Sequence, residues 1–128
     1  MSLDVHLEEI LPGSFDGEYT CERCGHENKL QAFTDLYSAN VTHNLNRMAD
    51  EAGVYDCCWR PEENGIKKAE QMIAPLEAGI ALMRSDPARF EKFNAPNGWG
   101  LYEHFLPWLE AYLEACRKYP NAKVRAGR

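Results

Sequence analysis

The chain of 128 residues carries 14 Lys and Arg against 20 Asp and Glu, a formal charge of −6, which excludes a general nucleic-acid or anionic-membrane binder because both need a basic footprint. Hydrophobic residues at 45% and charged residues at 27% are ordinary globular usage, so a single domain spanning 1–128 with one hydrophobic core is expected rather than a disordered chain. No stretch approaches the roughly 20 apolar residues of a membrane helix, and the opening MSLDVHLEEI lacks the basic start and apolar run of an export signal, so a soluble cytoplasmic protein is expected.

In chain order, Leu3, Val5 and Leu7 alternate with Asp4, His6 and Glu8, the period-two pattern of a half-buried strand. Pro12, Gly13 and Gly17 mark a turn, and the knuckle CERCGHEN follows at Cys21–Asn28. Leu30–Asn40, rich in aromatic residues, reads as a second strand with a bulge, which puts the knuckle at the tip of a long hairpin. The segment VTHNLNRMADEAG reads as a helix with Thr42 as N-cap, Leu45, Met48, Ala49 and Ala52 on its apolar face and Gly53 as its stop. Val54–Asn64 is expected to be irregular, because Pro61 has no N–H and turns Arg60 away from helix.

A helical pattern follows from Ile66 to Ser85, which Pro75 is expected to split. Ser85-Asp86-Pro87 caps a short helix through Phe93, and Asn94–Gly100 (NAPNGWG) is a loop. The last helix, Leu101–Lys118, turns Leu101, Phe105, Trp108, Leu109, Tyr112 and Cys116 inward, with a kink expected at Pro107. Lys123–Ala126 reads as an edge strand. Residues 1–20 hold five acids and no Lys or Arg, whereas residues 117–128 hold five Lys and Arg and no acid. Opposite charges at the two ends suit neighbouring strands. The pattern as a whole is α+β: a small antiparallel or mixed sheet, made of the N-terminal hairpin and the C-terminal strand, packed against three to five helices.

Five cysteines, an odd number, with no export signal favour reduced thiols or a metal site over disulfides. Cys21-x-x-Cys24 with His26 is half of a structural zinc site: thiolates at this spacing let backbone N–H groups of a tight turn point at sulfur. Cys57-Cys58 or a second subunit would complete the tetrahedron. The alternative is a hairpin tip with free thiols.

The polar groups Asn40, Thr42, His43 and Asn44 crowd a predicted helix start, where unpaired N–H groups suit phosphate or carboxylate. Simple capping by Thr42 is the plainer reading. In Asn97-Gly98-Trp99-Gly100 the glycines allow close backbone approach and Trp99 offers a stacking face, and Trp59-Arg60 sets an indole beside a guanidinium. These loops, with Tyr102, are expected to share one polar and aromatic cleft with the NVTHN segment. Both tryptophans also suit structural plugs. HExxH, GxSxG, the P-loop and GxGxxG are absent, which leaves Cys57 or Cys58 with His43 as the only nucleophile and base to weigh.

The strings NVTHNLNRMADEAG, WRPEE, NGWGLYE and CRKYPNAKVRAGR, in this order over residues 37–128, resemble a family of small uncharacterised proteins encoded by bacteria, actinobacteria in particular, and by their phages. The resemblance rests on NxTxN, NGWGxY and the YPNA-type ending. Its phage association implies an accessory role, such as countering a host defence through a host protein. The leading expectation is a non-enzymatic protein holding a small phosphorylated or nucleotide-like ligand. An interaction module with a zinc knuckle, with a homo-oligomer in view, is the second, and a small hydrolase using His43 the third.

Overall fold

The computed structural model describes residues 2–10, 18–20, 27–29 and 33–128. Strand β1 spans Ser2–Ile10, and its alternation leaves Leu3, Val5 and Leu7 with no solvent exposure. Two short strands, β2 (Glu18–Thr20) and β3 (Glu27–Lys29), pair with each other. The expected turn at Pro12–Gly17 and the knuckle residues Cys21, Cys24 and His26 lie outside the described residues.

Strand β4 (Phe33–Thr42) runs antiparallel to β1 from Ser2 opposite Thr42 to Ile10 opposite Phe33. Leu7 faces Tyr37 and Glu8 faces Asp35, so Leu36 is the extra residue of a bulge. The expected bulge is present, and the strand continues past Asn40 through Thr42. The last strand, β5 (Lys123–Gly127), pairs antiparallel with the other edge of β1, giving the order β4-β1-β5. The charge asymmetry of the termini is realised here: Arg125 of β5 forms an ion pair with the nearly buried Glu8 of β1.

After a 3-10 turn at His43–Leu45, helix α1 runs Asn46–Ala52 and buries Met48, Ala49 and Ala52. Gly53 ends it at φ 78°, and its N–H reaches the carbonyls of Ala49 and Asp50. The stretch expected to be irregular instead forms helix α2 (Tyr55–Trp59) and a 3-10 turn at Pro61–Asn64. Pro61 starts that turn, where its missing N–H has no intrahelical partner to lose.

Helix α3 (Glu70–Ser85) corrects two expectations: it starts at Glu70 rather than Ile66, and Pro75 lies within it without dividing it. The residues before it are held by the C-terminal segment, with Val124 donating to the Lys67 carbonyl and Ala69 to that of Ala122, each at 2.9 Å. Pro75 forgoes only the bond that would reach Gln71, in the first turn. The burial of Met72, Leu76, Ile80 and Met83 on both sides of it holds the helix continuous.

Helix α4 (Pro87–Glu91) is shorter than expected, and α5 (Tyr102–Lys118) matches expectation to one residue. Leu101 and Trp108 are half-buried rather than core, while Leu113 and Ala115 are buried. Sheet residues Leu3, Val5 and Leu7 share one core with Met48, Leu76, Phe105, Leu109 and Tyr112 of the helices. Aromatic rings run through it in contact from Tyr55 to Trp59, Phe105, Trp108, Tyr112 and Tyr37, with centroids 5.6 to 6.3 Å apart. No described helix is long and apolar enough to cross a membrane.

Candidate functional site

The loop before α5 is held largely by its own polar groups. Asn94 Oδ1 accepts from the Tyr102 backbone N–H at 2.7 Å, Ala95 N–H donates to the Gly100 carbonyl at 3.0 Å, and Asn97 Oδ1 accepts from Trp99 N–H at 3.0 Å. Gly100, at φ 124°, lies where a Cβ would stand 3.1 Å from Asn44 Cβ and 3.5 Å from Thr42 Cγ2. That close approach seats the loop on the end of β4. Asn44 Nδ2 then donates to the Trp99 carbonyl at 2.8 Å, across 55 residues of sequence.

A cleft of about 920 Å³ opens between the end of β4 and this loop. The expected site residues Asn40, Thr42, His43, Asn44, Asn97 and Trp99 all line it. So do Ser2, Leu101 and His104, which sequence reasoning missed. Their signal was faint: His104 sits at an exposed position of the first turn of α5, four residues after a predicted loop. The described residues that line the cleft include no Lys, Arg, Asp or Glu. Its polar character comes from amides, hydroxyls and two imidazoles.

Three expected site residues stand elsewhere. Trp59 belongs to a helix rather than a loop and is 2% exposed, stacked on Tyr55 and edge-on to Phe105. Its indole N–H donates to His43 Nδ1 at 3.1 Å, so it serves the cleft only from behind. With Nδ1 accepting, the neutral His43 ring carries its proton on Nε2. Arg60 donates to the Tyr55 hydroxyl at 3.2 Å and to Glu63 at 2.9 Å, and these two bonds raise its pKa further above its ordinary value. The Tyr102 hydroxyl donates to the Met83 carbonyl at 2.9 Å, tying α5 to α3.

The helix start departs from expectation in one respect. The Asn44 N–H is taken up by Thr42 Oγ1 at 3.3 Å, which caps the 3-10 turn His43–Leu45, whereas α1 begins only at Asn46, with Leu45 at its N-cap and no side-chain cap bond. The plainer reading of Thr42 therefore holds for that donor.

The three described cysteines are core groups. Cys57 and Cys58 have sulfurs 3.9 Å apart, and Cys57 Sγ donates to the Val54 carbonyl at 3.3 Å. Contact with Cys57 and burial push the Cys58 thiol well up, and burial with the nearby Cys57 pushes Cys116 up to about 12. Cys57 and Cys58 are buried in the core, and the Cys21–His26 knuckle they would complete lies outside the described residues. Among the described residues no hydrogen bond joins either thiol to His43: Cys57 Sγ donates to the Val54 carbonyl, and His43 Nδ1 accepts from the Trp59 indole. Among the described residues no three His, Cys, Asp or Glu side chains are grouped to hold a metal.

A pH dependence follows from these thiols. The folded pKa values of Cys58 and Cys116 lie above the unfolded value of about 8.5. The stability they contribute is therefore complete below pH about 8.5 and is lost as pH rises toward about 12, the Cys116 value, because the unfolded chain alone can release the protons. Chemical denaturation at pH 7.5 and pH 10 should show a lower midpoint at the higher pH. The double replacement of Cys58 and Cys116 by alanine should shrink that pH difference, and an unchanged difference would assign it to other groups.

No protein-family model, curated protein or solved structure matches this chain. The function is therefore read from the cleft.

Proposed function

We propose that the protein is a non-enzymatic binding protein whose cleft takes a flat, hydrogen-bonding ring of the nucleobase type. The observation that carries this reading is Trp99. At 71% exposure it is the only large hydrophobic side chain among the described residues to stand in solvent. Its backbone, not its side chain, fixes it there, through the Asn97 and Asn44 bonds and the Gly100 contact. An apolar face left in water at the rim of a cleft favours a stacking partner, and stacking of a base on an aromatic ring is worth about 1–3 kcal/mol. Around it Asn40, Asn97, His43 and His104 supply both donors and acceptors for a ring edge. Walls without formal charge favour a neutral ring inside the cleft over a bare phosphate.

The test is a titration with the common nucleosides, read by tryptophan fluorescence. Quenching is expected with at least one base. Trp99→Ala should abolish the signal and weaken binding by about tenfold or more, while the melting temperature of the free protein stays within about 1 °C because the indole packs against so little. If no nucleoside alters the fluorescence, or if Trp99→Ala unfolds the protein, the reading fails. An exposed indole serving a protein partner, with no small ligand, is then the better account.

A further inference from the structure

Beside the cleft lies a second groove of about 610 Å³, and the two share Asn44 and Asn97 as a common wall. The second groove is lined by Arg47 of α1 and Lys92 at the end of α4, and the described residues lining it include no acid. We propose that this groove holds the phosphate of a nucleoside 5′-phosphate whose base occupies the cleft. The inference rests on the base-site reading above and adds to it the charged end of the ligand and the residues that bind it.

The first support is the state of the cations. Six of the seven arginines among the described residues are in ion pairs: Arg60 with Glu63, Arg84 with Glu110, Arg89 with Glu51, Arg117 with Glu77 and Glu114, Arg125 with Glu8 and Arg128 with Glu62. Arg47 is the seventh and has no ion pair among the described residues, although Asp50 stands one turn further along the same helix. Lys92 has none either, with Glu91 beside it in sequence. In a chain of net charge −6, two cations without acidic partners among the described residues, facing one groove, are the counter-charge a phosphate requires. A guanidinium offers a two-pronged donor to phosphate oxygens, and the ammonium adds a point charge.

The second support is the shared wall. Asn44 uses Nδ2 on the Trp99 carbonyl, and Asn97 uses Oδ1 on the Trp99 N–H. Asn44 Oδ1 and Asn97 Nδ2 have no partner among the described residues, so one acceptor and one donor remain between the two grooves. Ribose hydroxyls, which both donate and accept, lie between base and phosphate in a nucleotide. The order of chemistries across the surface is therefore stacking face, amide edge, cations, the same order as base, sugar and phosphate.

The experiment compares each nucleoside with its 5′-monophosphate on the full chain, by the same fluorescence titration at low and at moderate salt. It is repeated with Arg47→Gln, Lys92→Gln and the double variant. The monophosphate should bind about tenfold tighter than the nucleoside at low salt, with the advantage shrinking as salt rises. In the double variant the advantage should fall to about twofold or less, with nucleoside affinity and melting temperature unchanged, since both side chains are exposed and in no ion pair among the described residues. Nucleosides that bind with no gain from the phosphate, or a gain that survives both substitutions, overturn this inference and leave the base site standing. Failure of nucleosides and nucleotides alike overturns both.

Discussion

Replacing Trp59 with alanine should destabilise the protein by about 3–5 kcal/mol, seen as a lower denaturant midpoint with an unchanged slope. The indole is almost fully buried, stacks on Tyr55 at 5.6 Å and meets Phe105 at 6.3 Å, so its removal empties a volume bounded by rigid rings. The substitution also withdraws the donor to His43 Nδ1, leaving a half-buried acceptor unpaired. Trp59→Phe separates the two effects. It keeps most of the aromatic volume and loses only the N–H, so its cost should be nearer 1–3 kcal/mol and should be accompanied by loosened ligand affinity, because His43 is no longer held in one orientation. A Trp59→Ala protein as stable as the parent would remove Trp59 from the core and reopen it as a ligand platform.

Gly79→Ala should also destabilise, by about 1–2 kcal/mol, against the usual rule that alanine in a helix is better than glycine by about 1 kcal/mol. Gly79 is buried in the middle of α3, and a Cβ there would stand 2.3 Å from Val54 Cγ1 and 3.0 Å from the Ala52 carbonyl oxygen. Val54 is fully buried and cannot rotate into solvent, and the Ala52 carbonyl is backbone. The helix and the α1–α2 junction must separate to admit the methyl, and the lost packing outweighs the propensity gain. Gly79→Val should be worse still. Thermal unfolding decides the sign: a melting temperature at or above the parent value would show that the junction yields freely.

Much of the fold could be read directly from residue pattern. The alternation of Leu3, Val5 and Leu7 dictates one buried strand face, and Leu45, Met48, Ala49 and Ala52 dictate the inward face of the 3-10 turn and α1, because strand and helix periods are properties of the local backbone. Gly53 as a left-handed stop is equally local. The acidic first strand and basic last strand were enough to place β1 beside β5, since opposite charge is carried by composition alone.

The cleft was legible in part. Polar groups at Asn40–Asn44 and a glycine-flanked Trp99 are visible as local oddities, and the structure brings them together. Trp59 and Arg60, which look alike as a loop motif, were misread because Pro61 suggested a break where α2 in fact ends on a buried indole. Whether a tryptophan fills the core or stands in water depends on what packs against it, and neighbours such as Tyr55 and Phe105 are set by the fold.

The sequence by itself determined the α+β class, the main strands and the longer helices, most apolar faces and the residue types available for binding. Tertiary structure alone decided that Pro75 stays within a helix, that Gly79 is a packing contact, and that Arg47 lacks an acidic partner among the described residues while six other arginines have one. The division has one physical cause. Periodicity, capping and turn preference act over a few residues along the chain, whereas ion pairing, burial of a particular ring and the walls of a cleft arise between segments that only the packed core brings within reach.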